Sequence, residues 1–491
     1  MLLSYLIEPL PEKHPTGPQD PDITAIVYDS RRAAPGSLFV CIEGEHFDGH
    51  DFARDAVAKG ACAIIAERLA DMPADLPIII VPDARRALPI LANRFFDHPS
   101  RKMKLVGVTG TKGKTTTTYL VESIFQQAGL CAGVIGTLGA RIRGESVPLD
   151  RTTPESVDLQ EILARMVSED VNAAVMEVSS HALVMRRTEG CEYDVGVFTN
   201  LTHDHLDFHH TLDEYLDAKL ILFKSYPRES GKRFTAVINT DDPSGEQVLC
   251  ESLGEKLTFG IRNDADISAS NISAGANGVA FDVKCPAGGF HVDLRIGGTF
   301  NVYNSLAAVG TACALGIEVG AIKAGLESVT SVAGRFESVD CGQDFGVIVD
   351  YAHSPDSLEN VLRAARELTS GRLIVVVGCG GDRDRAKRPV MGGIASELAD
   401  VCVVTSDNPR SEDPQAIIDE ILVGTRGHRA AVEAIVDRRE AIHRALEIAE
   451  SGDLVVVAGK GHETYQVFRD RTIHFDDREV VREALERMRV K

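Results

Sequence analysis

The sequence predicts an α/β protein organised as three domains. Three observations carry that prediction. A chain of 491 residues is longer than one hydrophobic core ordinarily serves. Short apolar runs of buried-strand type alternate with helix-like stretches. The pattern also changes character near residues 97 and 330.

The first block, residues 1–97, reads as a small α/β domain. The runs SLFVCI, ACAIIA and LPIIIV alternate with the helix-like HDFARDAVAKGA. FFDHPSRKMK then reads as a hinge, a Pro-Ser turn followed by basic residues. The second block, 98–329, opens on LVGVTG and continues with the buried runs AAVMEV, VGVFTN and TAVINT. Helical segments between them argue for a parallel sheet covered on both faces. KTTTTYLVESIFQQAG is one such helix, and Gly129 suits its C-terminal cap. Between about 266 and 300 the alternating GVAFDVKC and GFHVDLRIGG predict a small antiparallel sheet, after which NVYNSLAAVGTACALG returns to helix. The third block, 330–491, carries four buried-strand runs, FGVIVDYA, RLIVVVGCGG, ADVCVVTSDNPR and DLVVVAGKGH. Each ends in a polar or glycine-rich turn, as expected of a Rossmann-like sheet that binds ligands beyond the carboxyl ends of its strands.

Composition narrows the function. A net charge of −21 repels nucleic acid and anionic membrane surfaces. The absence of tryptophan and an aromatic content of 5% leave little for stacking on single strands. No apolar run approaches the ~18 residues of a membrane span, and MLLSYLIEPLPEKHP lacks the basic start of a signal peptide. Ten cysteines without a C-x-x-C pair read as reduced thiols, so a cytoplasmic setting is expected. A monomer is expected.

The sharpest feature is VGVTGTKGKTTTT, residues 106–118. A buried strand runs into Gly110, Thr111, Lys112, Gly113, Lys114 and Thr115, and a helix containing Thr116 follows. Glycines let backbone N–H groups curl around phosphate oxygens, and the helix N-terminus adds its dipole. Lys114 is placed to reach the β- and γ-phosphates of ATP, with the Thr115 hydroxyl on Mg²⁺. The loop is a variant, because Val108 stands where the general pattern has its first glycine. The N-K-x-D guanine motif is absent, which disfavours a GTPase.

THDHLDFHHTLDEYLDAK, residues 202–219, invites a different reading. His203, His205 and Asp207 fit the H-x-H-x-D-H pattern of binuclear zinc hydrolases, but Phe208 displaces the next histidine to 209. A metal-dependent hydrolase is therefore the non-ligase alternative. His203, His209 and His210 are otherwise read as solvated or capping.

The loop resembles the TGTxGKTT loop of the Mur ligases, ATP-dependent amide-forming enzymes of peptidoglycan precursor synthesis. Further matches run in order: YDSR (28–31), TTP (152–154), MEVSSH (176–181), TNLTHDHLDFH (199–209), DAK (217–219), TFNVYNSLAA (299–308), GRFE (334–337), DYAHSPDSLE (350–359), GCGGDRDRAKRP (378–389), DNPR (407–410) and GKGHE (459–463). The resemblance implies a uridine-binding first domain, a central ATPase domain and a third domain that selects an amino acid. It implies addition of meso-2,6-diaminopimelate to UDP-N-acetylmuramoyl-L-alanyl-D-glutamate through an acyl phosphate, with L-lysine or another diamino acid as the alternative substrate.

Site roles follow from the same resemblance. Glu177 and His205 are implied Mg²⁺ ligands, and Lys219 is implied to carry a CO₂-derived carbamate supporting a second Mg²⁺, which requires a neutral amine. Asn301, Arg335, Asp350 and His353 are implied ATP contacts. Ser30, Glu45, His46 and Phe47 are implied to hold the uridine diphosphate, and Thr152, Thr153, Ser179 and Arg187 the muramoyl peptide. Arg383, Asp407, Asn408, Pro409, Arg410, Gly459 and Glu463 are implied to bind diaminopimelate, whose free zwitterionic end needs an arginine and anionic acceptors. Arg385, Lys387 and Arg388 read as solvated or phosphate-facing. Arg151 and Met185 depart from the family pattern, which has asparagine and glutamine there, and are left unassigned.

Overall fold

The computed structural model describes residues 1–16, 19–44, 47–69 and 75–490. Three principal sheets follow one another along the chain. The first has five strands; Ala25–Val27, Ser37–Val40, Ala61–Ala66 and Ile78–Ile80 run parallel, and His14–Thr16 closes one edge antiparallel. Helix Ala84–Phe95 packs on it through Ala84, Leu88 and Leu91, which recur at helical spacing and are buried.

The central sheet has eleven strands. Near its middle is the strand that feeds the phosphate loop, Lys104–Thr109, flanked by Val195–Phe198 on one side and Ala173–Glu177 on the other, all parallel. These strands read as continuous apolar runs because both faces are covered. The antiparallel strands Ile267–Ala274, Val279–Cys285 and Gly288–Leu294 are present, and they extend this same sheet instead of standing apart. Pairing of Phe259–Gly260 with Ile267–Ser268 makes the join.

The third sheet has four inner parallel strands in the spatial order Gly346–Asp350, Leu454–Ala458, Leu373–Val377 and Val401–Val404, with short strands at both edges. Because they are parallel, the turns beginning at residues 351, 459, 378 and 405 share one edge. The segment expected to act as a hinge is a packed 3₁₀ turn, Pro99–Lys102, in which Ser100 is buried and Arg101 pairs with Glu192 at 2.6 Å. Gly129, at φ +76°, follows helix Lys114–Gln127 and supplies the left-handed residue that ends it.

Candidate active site

The phosphate loop is braced from the neighbouring strand. Gly110 has φ +146° and Gly113 φ +84°, conformations that glycine adopts without strain. A Cβ on Gly110 would overlap the Thr199 hydroxyl, and one on Gly113 would overlap the side-chain oxygen of Asn304. The Thr199 hydroxyl donates to the Lys112 carbonyl at 2.7 Å, and the Lys112 amide donates to Asn200 Oδ1 at 2.8 Å. Lys112 Nζ pairs with Asp204 at 2.9 Å. The TNLTHDH stretch thus clamps the loop. On the far side, Asn304 Nδ2 donates to Asn301 Oδ1 at 2.8 Å, while Asn301 Nδ2 holds the Gly297 carbonyl at 2.6 Å. The Asn301 amide is engaged within the protein, and it fixes Asn304 against Gly113.

Lys114 donates to the Gly110 and Thr111 carbonyls, each at 2.9 Å. Burial lowers its amine to about 8, with Glu177 opposing that shift and Lys112 and Arg335 adding to it. These side chains therefore share one electrostatic neighbourhood. Thr115 and Thr116 are buried in the first turn of the helix.

Glu177 closes its strand with a carboxylate that is 1% exposed. Oε1 accepts from the Thr137 amide at 2.8 Å, and Oε2 accepts from the Thr137 hydroxyl at 3.1 Å. The Thr137 and Thr152 hydroxyls are 3.2 Å apart. The Thr153 hydroxyl donates to the Glu177 carbonyl at 2.9 Å and lies 3.3 Å from Ser179 Oγ. Arg187 stands 3.4 Å from Glu155. Thr152, Thr153 and Ser179, three of the residues implied to hold the peptide substrate, are therefore joined to Glu177 by short hydrogen-bonded links.

Lys219 lies one turn after Tyr215 on helix Leu212–Lys224, which starts from the side-chain cap of Thr211. Its side chain is 1% exposed and its Nζ sits 4.0 Å from the centre of the Tyr215 ring. Burial pushes the amine well below the ordinary lysine range, and the nearby Lys114 adds to the effect. His205 meets the same tyrosine, with ring centres 6.2 Å apart, and has φ +55°.

The histidine stretch is distributed among several partners. His209 is buried and its Nε2 lies 2.8 Å from Ser180 Oγ, contrary to the solvated or capping role expected of it. His181 stacks on Phe208 with centres 4.1 Å apart. His203 and His210 are exposed, and the Asp207 side chain lies outside the described residues. Among the described residues no three His, Cys, Asp or Glu side chains form a group that could hold a metal.

The third sheet brings its four turns to the same edge. Asp350 is buried; the Phe336 amide donates to its Oδ2 at 2.6 Å. Burial raises its carboxyl to about 6, and Arg335 opposes that shift. The Arg335 guanidinium lies 5.2 Å from the Tyr351 ring centre. His353 Nδ1 is 2.8 Å from the Tyr351 carbonyl.

Asn408 Nδ2 donates to Glu463 Oε2 at 2.8 Å, and Lys460, fully buried, donates to Asn408 Oδ1 at 3.1 Å and Glu463 Oε2 at 3.2 Å. Asp407 is 3.8 Å from the same ammonium, and Gly459 packs against its carboxylate. Arg410, at φ +51°, donates to the Gly381 carbonyl at 2.7 Å, and Pro409 packs against Gly381. Arg383 is exposed beside Gly380. Arg388 corrects the expectation of a solvated or phosphate-facing side chain. It is fully buried and fixed by Glu412 at 2.7 Å and Glu420 at 2.8 Å, because the helix it begins packs on helix Pro414–Gly424. Arg385 is exposed and pairs with Glu420, and Lys387 donates to the His353 carbonyl at 2.9 Å.

Between the second and third sheets lies a cleft of about 410 Å³, lined by Thr137, Arg151 and Thr152 on one wall and by Tyr351, His462 and Glu463 on the other. In the first domain Ser30 is buried in a 3₁₀ turn, and Phe47 is 73% exposed. Glu45 and His46 lie outside the described residues. Tyr28 and Arg32 tie this domain to the second through Asp158, at 2.5 and 2.6 Å.

Thr137, Asn200, Asn304 and Lys460 were not singled out from sequence. Three of them lie inside motifs noted above; Thr137 carries no local signal, since only strand pairing puts it beside Glu177.

Three consecutive α/β units, with a phosphate loop at the end of a central strand of the second and a cleft between the second and third, are the architecture of a nucleotide-dependent ligase. The chain belongs to the Mur ligase family: its residues 22–96 match the Mur ligase family catalytic domain, 108–312 the Mur ligase middle domain and 334–461 the Mur ligase glutamate ligase domain. It is 51% identical over 473 residues to the UDP-N-acetylmuramoyl-L-alanyl-D-glutamate–2,6-diaminopimelate ligase of Bacillus licheniformis, covering 96% of each chain. It is 48% identical over 489 residues to the enzyme of the same name from Bacillus velezensis, covering 99% of this chain and 98% of that one. A solved structure of a ligase of that name aligns with a TM-score of 0.69 at 32% identity over 95% of each chain.

Proposed function

We propose that this chain is the ATP-dependent ligase that joins meso-2,6-diaminopimelate to the D-glutamate γ-carboxylate of UDP-N-acetylmuramoyl-L-alanyl-D-glutamate, in cytoplasmic peptidoglycan precursor synthesis. One observation carries the reading: Thr152, hydrogen-bonded through Thr137 to Glu177, whose charge acts on Lys114, lies across the cleft from Glu463, which belongs to the Asn408–Lys460 network. A carboxylate to be activated and an amine to attack it can meet there. The named relatives support the choice of substrates. Among the described residues no helix is long and apolar enough to cross a membrane. We take the domain boundaries at 97/98 and 329/330.

ATP phosphorylates the γ-carboxylate, giving an acyl phosphate and ADP. The amine attacks the acyl carbon, loses a proton, and the tetrahedral adduct collapses to an amide and phosphate. Lys114 positions the transferring phosphoryl group, exchanging its loop carbonyl partners for phosphate oxygens. Positioning and charge neutralisation carry most of the acceleration, because several anions must converge. Thr115, Glu177, His205 and Lys219 as its carbamate are the residues that would hold Mg²⁺. Hydroxyl and carboxylate oxygens suit that hard ion, and Glu177 keeps lone pairs beyond its bonds to Thr137. When bound, Mg²⁺ neutralises phosphate charge. Burial of Lys219 favours the neutral amine, the form that reacts with CO₂.

In the third domain Arg383 and Arg410 face the free carboxylate of diaminopimelate, and Asp407 and Glu463 its ammonium. Lysine lacks that carboxylate and leaves the guanidinium donors unpaired. The test is phosphate release with ATP, Mg²⁺ and the UDP-muramoyl dipeptide, offering meso-diaminopimelate or L-lysine. Rapid release with diaminopimelate and little with lysine is expected; equal rates would defeat the assignment of specificity.

A further inference from the structure

Arg151, left unassigned by the sequence, lies on the wall of the cleft next to Thr152. Its side chain is 57% exposed, and its Nη1 is 3.9 Å from Glu155 Oε2. That oxygen also serves Arg187 at 3.4 Å and Arg85, from the first domain, at 3.9 Å. One buried carboxylate thus faces three guanidiniums. Asp150 adds a second negative charge to this wall, so three positive charges still face two negative ones. Across the cleft, Glu463 is engaged by Asn408 and Lys460. The wall therefore has capacity for an anion, and its more accessible guanidinium belongs to Arg151.

The inference rests on the proposed function, which supplies the anion. The acceptor's D-glutamate has two carboxylates. The γ-carboxylate is activated and must approach Lys114, past the Thr152–Thr137–Glu177 hydroxyl chain. The α-carboxylate, two methylenes and one carbon away, is left on the cleft wall where Thr152 adjoins Arg151. The diamino acid's own carboxylate is served by Arg383 and Arg410 on another element. We infer that Arg151 binds the unactivated α-carboxylate of the acceptor peptide, making it a specificity-determining residue. Its planar fork matches a carboxylate bidentately, as a lysine cannot.

The test crosses protein and substrate changes. Initial rates are measured for the wild type, Arg151→Ala and Arg151→Lys, each with the UDP-muramoyl dipeptide and with its analogue bearing an α-carboxamide. Losing one charge-assisted contact is expected to raise KM for the dipeptide about 10- to 100-fold in Arg151→Ala, with KM for ATP and diaminopimelate unchanged and kcat little affected. Arg151→Lys recovers part of the loss. The carboxamide costs the wild type a similar factor and costs Arg151→Ala almost nothing more. Penalties that multiply, or an unchanged KM in Arg151→Ala, overturn the inference, and multiplication would assign the α-carboxylate to Arg187 or elsewhere. Failure of the wild type to join diaminopimelate to the dipeptide would sink the proposed function itself, so the two failures are separable. Arg151 is exposed outside regular structure, and matching thermal melts show that each variant is folded.

Discussion

Lys460 donates to Asn408 Oδ1 at 3.1 Å from a position with no solvent exposure. The contact sets the amide's orientation: Oδ1 also accepts from the Val467 amide at 3.0 Å, so Nδ2 turns to Glu463. Lys460→Met removes the cation from between Asp407 and Glu463. Breaking a buried charged network should destabilise the protein by about 3 kcal/mol. KM for diaminopimelate should rise about tenfold or more, with KM for ATP little changed. Denaturant melts and steady-state kinetics check both expectations.

Gly113 is the backbone counterpart of that side-chain control. Gly113→Ala combines a φ of +84° with overlap onto Asn304. Strain of this kind costs about 1–3 kcal/mol, so ATP binding should weaken about 10- to 100-fold by calorimetric titration. Asn304→Ala in the same chain should recover part of the loss by removing the overlapping atom.

Lys219 provides a test on stability as well as on rate. Its folded-state pKa is depressed while the unfolded value is ordinary, so the unfolded chain binds the extra proton. That proton opposes folding at neutral pH, and the penalty disappears as pH rises through the ordinary lysine value. In CO₂-free buffer Lys219→Met should therefore melt above the wild type at pH 7, with the gap closing above pH 10.5. Its activity should fall about 100-fold or more, and wild-type activity should depend on added bicarbonate.

Asp350 gives the opposite sign. Its folded carboxyl titrates at about 6, above the ordinary 3.8, so its neutral form stabilises the fold fully below pH 3.8, and that contribution is lost by about pH 6. If the ionised form orients Arg335 toward the nucleotide, kcat/KM for ATP should fall as pH drops through about 6. Asp350→Asn should lack that acid limb and should be the more stable protein at pH 7.

Arg410 donates to the Gly381 carbonyl from a left-handed backbone. Arg410→Lys offers a point charge in place of a fork. Turnover with diaminopimelate should fall about 100-fold, and the preference over L-lysine should narrow. Unchanged turnover would remove Arg410 from the recognition of that carboxylate.

Local order was legible in the sequence wherever one segment makes its own structure. The strand, glycine turn and helix around 104–127 were readable because glycine placement and apolar runs are local signals. The DNPR and GKGHE turns were readable as loops ending parallel strands. Two side-chain environments were not. Arg388 looks like a surface residue in a basic run, but helix packing buries it between two glutamates. His209 looks like one of several surface histidines, yet the fold seats it against Ser180. Charge and polarity in a string do not tell which residues will find partners inside.

By itself the sequence determined the order of elements, the phosphate loop and the identity of the chemical groups available. It did so because backbone propensities and apolar spacing act over a few residues. Only the tertiary structure decided that Thr137 holds Glu177 across 40 positions of chain, that Asn304 shapes Gly113, and that Lys219 lies buried where its charged form is disfavoured. Those outcomes depend on sheet register and on exclusion of water, and both are properties of the packed whole.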